Sequence, residues 1–265
     1  MRNFQDWLEA VRKRRSGIPR VRSPRGLPGV LARGDLSVVY QPIVSLETME
    51  PFAYEALVRS DSPHWVNPPQ LFDEAIRSGY VGVLGRAIRE LATTHCPEMP
   101  LFLNVHPNEF DESWLVQPDD AIFTHDQPIY LEVTESVPLT HFEYCHSVLR
   151  EIRGKGVSLA VDDLGAGYSN LKYIVDLNPE VVKLDRTLVA DLAEDRRAQV
   201  LVRHMVRLCH ELGAHVVAEG IEQETEMKVV IDCGADYGQG YYFARPAYPA
   251  PGISATPCAV MSKGA

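Results

Sequence analysis

Asp162 and Asp163 stand side by side in VDDLGAGYSN (161–170), at the end of an apolar run and just before Gly165 and Gly167. Adjacent carboxylates in such a setting suit proton transfer or the binding of a cation. Other polar residues share the setting: Glu55 in YEALV, Asn104 in LFLNV, Glu132 in IYLEVT, Lys183 in VVKLD, Glu219 in AHVVAEG and Gln239 in YGQG. Singly, each has an ordinary reading: Asn104 caps a helix, Glu132 pairs with a buried basic group, and Lys183 forms a structural ion pair with Asp185. Brought together, Glu55, Glu132, Asp162, Asp163 and Glu219 would repel one another, because desolvated like charges raise each other's pKa. One or two divalent cations remove that difficulty, and oxygen donors without His or Cys favour a hard ion, Mg2+ or Mn2+. Two such ions about 3.5–4 Å apart activate water and stabilise a leaving oxygen in phosphodiester hydrolysis.

The elements that must position these groups are legible as short β-rich runs: 37–44, 52–58, 101–105, 129–134, 157–162, 181–185, 214–220 and a weaker one at 237–243. Stretches of helical periodicity separate most of them, such as PPQLFDEAIRSGYVGVLGRAIRELAT and RRAQVLVRHMVRLCHELG, the latter placing Val202, Met205, Val206 and Cys209 on one face. Strands alternating with helices predict a closed α/β barrel of the TIM, (β/α)8, type, whose strand C-terminal ends converge on one catalytic rim. Only SLETMEP joins the first two strands, too short for a helical crossover, so the first strand is expected to be antiparallel and the barrel modified.

Charge is unevenly distributed along the chain. Residues 1–33 carry nine Lys/Arg against two Asp/Glu, which leaves the remainder strongly acidic within a net charge of −10. An acidic body repels nucleic-acid backbones and argues against general DNA or RNA binding. Phe4, Trp7, Leu8 and Val11 predict a short amphipathic helix ending in Arg12–Arg15, suited to a partner protein, a membrane surface or docking on its own body; the following SGIPRVRSPRGLPG reads as linker. The five cysteines form no CxxC pair and read as reduced thiols, and the histidines lack metal-ligand spacing. With no secretory leader and no apolar run of membrane-spanning length, a cytoplasmic location is expected. The expected organisation is a basic helix and linker over 1–33, the barrel over 34–247 and a Pro-rich tail over 248–265, read as loop or disorder.

GAGYSN is half of a dinucleotide-binding GxGxxG, but Asn170 replaces the third glycine and two anions precede the loop. The full series YQPIV, YEALVR, LNV, LEVTES, VDDLGAGYSNLKYI, VKLD, VVAEGIE and YGQGYYFARP, in this order and spacing, closely resembles the bacterial EAL-domain phosphodiesterases over about residues 34–247. The resemblance implies hydrolysis of cyclic di-GMP to linear pGpG on a modified TIM barrel. It implies that Glu55, Asn104, Glu132 and Asp162 bind a first metal and Asp163 a second, with Glu219 either a ligand of the second ion or the general base. Lys183 then orients the attacking water, Gln239 helps hold water or substrate, Arg59 pairs with a phosphate oxygen, Gln41 lies near a guanine site, and Glu135 anchors the loop after Asp163. Members of this family resemble one another in dimerising beside that loop, which implies a homodimer.

This chain departs from the family pattern at Leu164, Ala166 and Asn170, at Leu57-Val58-Arg59-Ser60 with the following DSPHWVNPP, and at Ala75-Ile76 where acidic residues are common. No metal ligand is missing. The reading that follows is a metal-dependent phosphodiesterase; the alternative is a catalytically silent cyclic di-GMP receptor or interaction scaffold. An enolase-like barrel lyase would account for the carboxylates and the lysine but not for the whole motif series.

Overall fold

A computed structural model describes residues 26–62, 67–110, 115–134, 142–166 and 171–253. Eight strands close into one barrel in sequence order: β1 (Leu36–Ser45), β2 (Pro51–Ser60), β3 (Leu101–Asn104), β4 (Ile129–Thr134), β5 (Ser158–Leu164), β6 (Val181–Leu184), β7 (His215–Ala218) and β8 (Tyr237–Gln239). β1 is antiparallel to both neighbours, β2 and β8, while every other pairing is parallel. The expected irregular barrel is therefore present. Its hairpin turns through Met49 at φ 58°, with Met49 N donating to Ser45 O and Ser45 N to Glu50 O.

Period-two alternation builds the barrel interior in two layers. Ala53, Phe102, Ala160, Val181 and Val217 point inward and form an apolar floor with Ile43, flanked by Tyr130 and Tyr237. Two residues further along each parallel strand, on the same face, come Glu55, Asn104, Glu132, Asp162, Lys183, Glu219 and Gln239. β1 runs the other way, so its polar residue, Gln41, precedes Ile43 by two. The floor packs by ring contacts, including Phe102 stacked on Tyr130 at 4.4 Å between centroids. It excludes water from beneath the polar layer, which opens only at the strand ends.

The helices are α1 (Leu27–Arg33), α2 (Pro68–Ser78), α3 (Val81–His95), α4 (Phe142–Gly154), α5 (Lys172–Leu177), α6 (Arg186–Val189), α7 (Arg196–Glu211) and α8 (Glu224–Cys233). In α7 the expected face is the buried one: Val202, Val206 and Cys209 are at most 2% exposed, with Met205 at the margin, and Asp195 caps the first turn by accepting from Arg197 N and Ala198 N. The long periodic stretch after β2 is two helices rather than one. Gly79 at φ 70° ends α2, accepting a left-handed conformation that an interior helical residue does not adopt.

Two segments read as irregular from sequence cover the outer wall of the β1–β2 hairpin beside α3, whose Ala92 O accepts from Tyr40 Oη at 2.7 Å. α1 starts inside the Pro/Gly-rich stretch because Pro28 fits a first helical turn and Gly34 a left-handed end. It buries Leu27 and Val30 completely against the wall's outer residues, among them Tyr40, Tyr54 and Val58. At the other end of the chain, Ala247 exchanges backbone hydrogen bonds with Tyr40 at 2.8 and 3.0 Å, and Tyr54 Oη donates to Pro251 O at 2.9 Å. The tail is thus fastened through its described residues, to 253. The amphipathic helix expected near residues 3–15 and Glu135 lie outside the described residues. Cys96, Cys209 and Cys233 are buried free thiols, as expected.

Candidate active site

Lys183 is the centre of the polar layer. Its ammonium lies 2.5 Å from Glu132 Oε1, 2.6 Å from Glu219 Oε1, 3.2 Å from Asp162 Oδ1 and 3.5 Å from Glu55 Oε2. The lysine is 1% exposed, so its charge is stable there only because these acids surround it. Burial opposes the ammonium, but Asp162, Glu132, Glu219 and Glu55 together hold its pKa well above the usual lysine value.

The acids respond differently. Glu55 is opposed by burial yet held below its ordinary value by Lys183 and by hydrogen bonds from Gln239 Nε2 at 2.6 Å and Asn104 Nδ2 at 3.0 Å. Glu132, fully buried beside Glu55 and Asp162, is pushed well above the carboxylate range, Lys183 notwithstanding. Burial also pushes Glu219 up to about 8, with the charges of Asp162 and Glu55 adding to the effect.

Asp162 and Asp163 reach the same mouth through a backbone device. Between Val161 and Leu164, β5 advances three residues while β6 advances two, a β-bulge, and Asp163 takes φ 60°. That turn cancels the alternation that would send neighbouring side chains to opposite faces. Gly165 follows at φ 107°, where an added Cβ would fall 2.3 Å from Leu188 Cδ1. Oxygens of Asp162, Asp163 and Glu219 then lie within 4.8 Å of one another.

Five carboxylates (Glu55, Glu132, Asp162, Asp163, Glu219) face a single ammonium. Both Glu132 oxygens and Asp162 Oδ1 are buried without an aligned hydrogen bond, the short approaches of Lys183 to Glu132 and Asp162 being electrostatic contacts without hydrogen-bond geometry. Excess negative charge, orphaned buried oxygens and an all-oxygen donor set fit hard divalent cations. The mouth has a volume of about 320 Å³ and is bordered also by Gln41, Leu57, Arg186, Tyr241 and Glu222.

Gln41 is 8% exposed, accepts from Gln239 Nε2 at 3.3 Å and donates to Ala244 O at 3.2 Å, which places it behind Glu55. Arg59 does not join the acid cluster. It lines an adjoining cleft of about 650 Å³ with Asn104, Phe72, Asp73 and His106, a feature that sequence reasoning did not find. Three of the departures from the family pattern are absorbed by packing: Leu164 and Ala75 are fully buried, and Ile76 packs at the edge of the core.

An α/β barrel with one reversed strand and an acid-and-lysine mouth at its strand ends defines a modified (β/α)8 protein with an acidic rim. The chain belongs to the EAL domain family, whose profile matches residues 25–246. It is 32% identical over 262 residues to the cyclic di-GMP phosphodiesterase RocR of Pseudomonas aeruginosa, covering 90% of this chain and 66% of that protein. Among solved structures it resembles the MucR phosphodiesterase of Pseudomonas aeruginosa in complex with c-di-GMP (TM-score 0.72, 26% identity, 82% of this chain and 94% of that one). It also resembles a manganese and cyclic di-GMP complex of BlrP1 from Klebsiella pneumoniae (TM-score 0.70, 30% identity, 84% of this chain and 58% of that one). The chain spans 29% to 66% of the length of four curated relatives it matches by sequence. Among the described residues no helix is long and apolar enough to cross a membrane.

Proposed function

We propose that this chain hydrolyses cyclic di-GMP to linear pGpG in a reaction that depends on divalent metal, Mg2+ or Mn2+. The observation that carries the reading is the cluster of four carboxylates on Lys183 with Asp163 beside them, whose Glu132 and Asp162 oxygens include buried ones without an aligned hydrogen bond. Glu55, Asn104, Glu132 and Asp162 would hold one ion, and Asp163 with Glu219 a second. Bound there, such ions supply Lewis-acid activation of water and of phosphoryl oxygen.

The protein's own groups supply the rest. Lys183, permanently charged and fixed among the acids, orients the water and offsets charge on the phosphoryl group. Gln239, donating to Glu55, holds that carboxylate in one orientation while its own Oε1 is left for water or substrate. Glu219 is the carboxylate able to accept the water's proton once deprotonated. Arg59 pairs with a phosphate oxygen, Gln41 supports the substrate side of Glu55, and Glu135 anchors the loop beyond Asp163. Leu171 and Val175, 43% and 62% exposed on and before α5, form the apolar surface through which a homodimer would assemble beside that loop. The part of the basic arm that precedes α1 is assigned to contact with a protein partner or a membrane surface, in a cytoplasmic protein.

The test is incubation of the full chain with cyclic di-GMP and Mg2+ or Mn2+, with EDTA and Glu55→Ala controls, following pGpG by chromatography. Metal-dependent product that vanishes in the variant is expected. Micromolar binding without product would replace the enzyme by a receptor.

A further inference from the structure

The substrate of the proposed reaction has two identical bases, but the two flanks of the site are not alike. Leu57 borders both the acid mouth and the adjoining cleft, so a ligand lying across the strand ends meets one flank with each end. The cleft is of small-molecule size, within the range of about 300–1,000 Å³ seen for ligand sites. On its wall Phe72 stacks on His106, ring centroids 5.7 Å apart and 16° from parallel. His106 Nδ1 accepts from Asn108 N at 3.2 Å, which leaves a proton on Nε2, and burial lowers the ring's pKa against the opposing charge of Asp73.

Asp73 follows Phe72 on α2 and lines the same cleft. Its carboxylate is exposed and has no hydrogen bond or salt bridge among the described residues. A carboxylate offers two adjacent acceptors, and guanine presents two adjacent donors on its Watson–Crick edge, N1–H and N2–H. Adenine places an acceptor, N1, where guanine has a donor, so the same carboxylate meets it with repulsion.

The opposite flank has a different chemistry. Tyr241 is 49% exposed beside the mouth, with the Arg245 guanidinium carbon 4.1 Å from its ring centroid. The nearby acid, Glu222, is held by Arg186 at 2.8 Å. A bare aromatic ring backed by a cation stacks on any base, since every base has a π-face.

We propose that the two bases of a cyclic dinucleotide are treated unequally: Asp73 reads guanine in the Phe72–His106 cleft, while the Tyr241 flank accepts either purine. This rests on the cyclic-dinucleotide reading of the site. A symmetric substrate conceals the inequality, whereas the mixed 3′,3′-cyclic GMP–AMP exposes it. In either ring opening, a water oxygen bonds to phosphorus, the P–O3′ bond breaks and the 3′ oxygen takes a proton. Attack at one phosphate gives pGpA and at the other pApG. With guanine fixed in the cleft, one phosphate of the two lies over the acids, and one linear product exceeds the other by about tenfold, as one carboxylate–base discrimination provides.

The experiment is chromatography of the products from 3′,3′-cyclic GMP–AMP with Mg2+ or Mn2+, beside cyclic di-GMP. One dominant product is expected, and Asp73→Ala is expected to bring the ratio toward unity; the ratio is internal to each reaction and is not moved by a general loss of activity. An even mixture from the unaltered protein, or no opening of the mixed ring where cyclic di-GMP is opened, overturns the proposal. If cyclic di-GMP itself is not opened, the hydrolytic reading fails and binding decides this one. Calorimetry with EDTA is then expected to show the mixed dinucleotide within about twofold of cyclic di-GMP, one of two orientations being lost, and cyclic di-AMP about tenfold or more weaker. Equal affinities, or an equal loss for each guanine replaced, would overturn it.

Discussion

Two clusters of buried charge are built on opposite principles. In the first, Arg89 donates to Glu109 Oε2 at 2.6 Å and to both oxygens of Asp120 at 2.8–3.2 Å. The remaining acceptor capacity is used by backbone: His106 N on Glu109 Oε1 and Ile122 N on Asp120 Oδ1. The fit is close enough that a Cβ at Gly85 would lie 1.9 Å from Glu109 Oε2. In the second cluster, around Lys183, acids outnumber the base and several oxygens have no aligned donor. A saturated network is a brace, here for the loop that follows Asn104; an unsaturated one is kept for something that is not protein.

The sharpest way to break this distinction is to remove one charged group from each cluster. Glu132→Gln is expected to lower phosphodiesterase turnover by about 10³-fold, on the scale of a lost electrostatic contact to reacting groups, while thermal stability in EDTA stays level or rises as its repulsion by Glu55 and Asp162 is relieved. A large loss of stability in EDTA would show the mouth to be a brace as well. Arg89→Met is expected to do the reverse. It strands two buried carboxylates, at about 3–5 kcal/mol, which is a fall of roughly 10 °C in melting temperature for a chain of this size. A shift within error would remove the saturated network from the account of stability.

Cation addition sharpens the comparison further. Mn2+ at about 100 times its dissociation constant is expected to stabilise the protein by about 2.7 kcal/mol. The increment should survive in Arg89→Met and shrink in Glu132→Gln, as measured by denaturation with and without metal. The smallest effect concerns a third, surface site. Burial opposes ionisation of Asp236, but Val216 N, His210 and His215 hold its pKa below the ordinary value. Because the folded pKa is the lower one, the contribution to stability is full above about pH 4 and is lost as pH falls through the folded value. Asp236→Asn should therefore be less stable than the parent at pH 6 and converge with it in acid; a difference that is independent of pH would refute the linkage.

The unsaturated cluster was legible in the sequence and the saturated one was not, for a geometric reason. A strand repeats every two residues, so one polar residue after an apolar run marks the barrel rim strand by strand, from Glu55 to Gln239. Arg89, Glu109 and Asp120 meet only because α3 passes two short 3-10 turns, Pro107–Glu109 and Ala121–Phe123, whose acids lie 20 and 31 residues away in sequence, and no local period records that. The cleft residues Phe72, Asp73 and His106 are hidden likewise, being contributed by a helix and by a loop that follows a different strand. α1 was obscured by its composition: Pro28 and Gly34 read as breakers, yet one begins a helix and the other ends it. Alternation also misdirects at Asp162-Asp163, where it places neighbours on opposite faces and the bulge overrides it.

The φ of 60° at Asp163 has an evolutionary consequence. An L-residue in that conformation is disfavoured by about 1–2 kcal/mol, a penalty that glycine escapes and that aspartate only partly relieves. Mutation toward glycine at this codon is therefore downhill for folding and removes one carboxylate from the mouth. A lineage released from selection for catalysis would drift in that direction first, so the residue found at 163 in any descendant serves as a record of whether its chemistry was still being used.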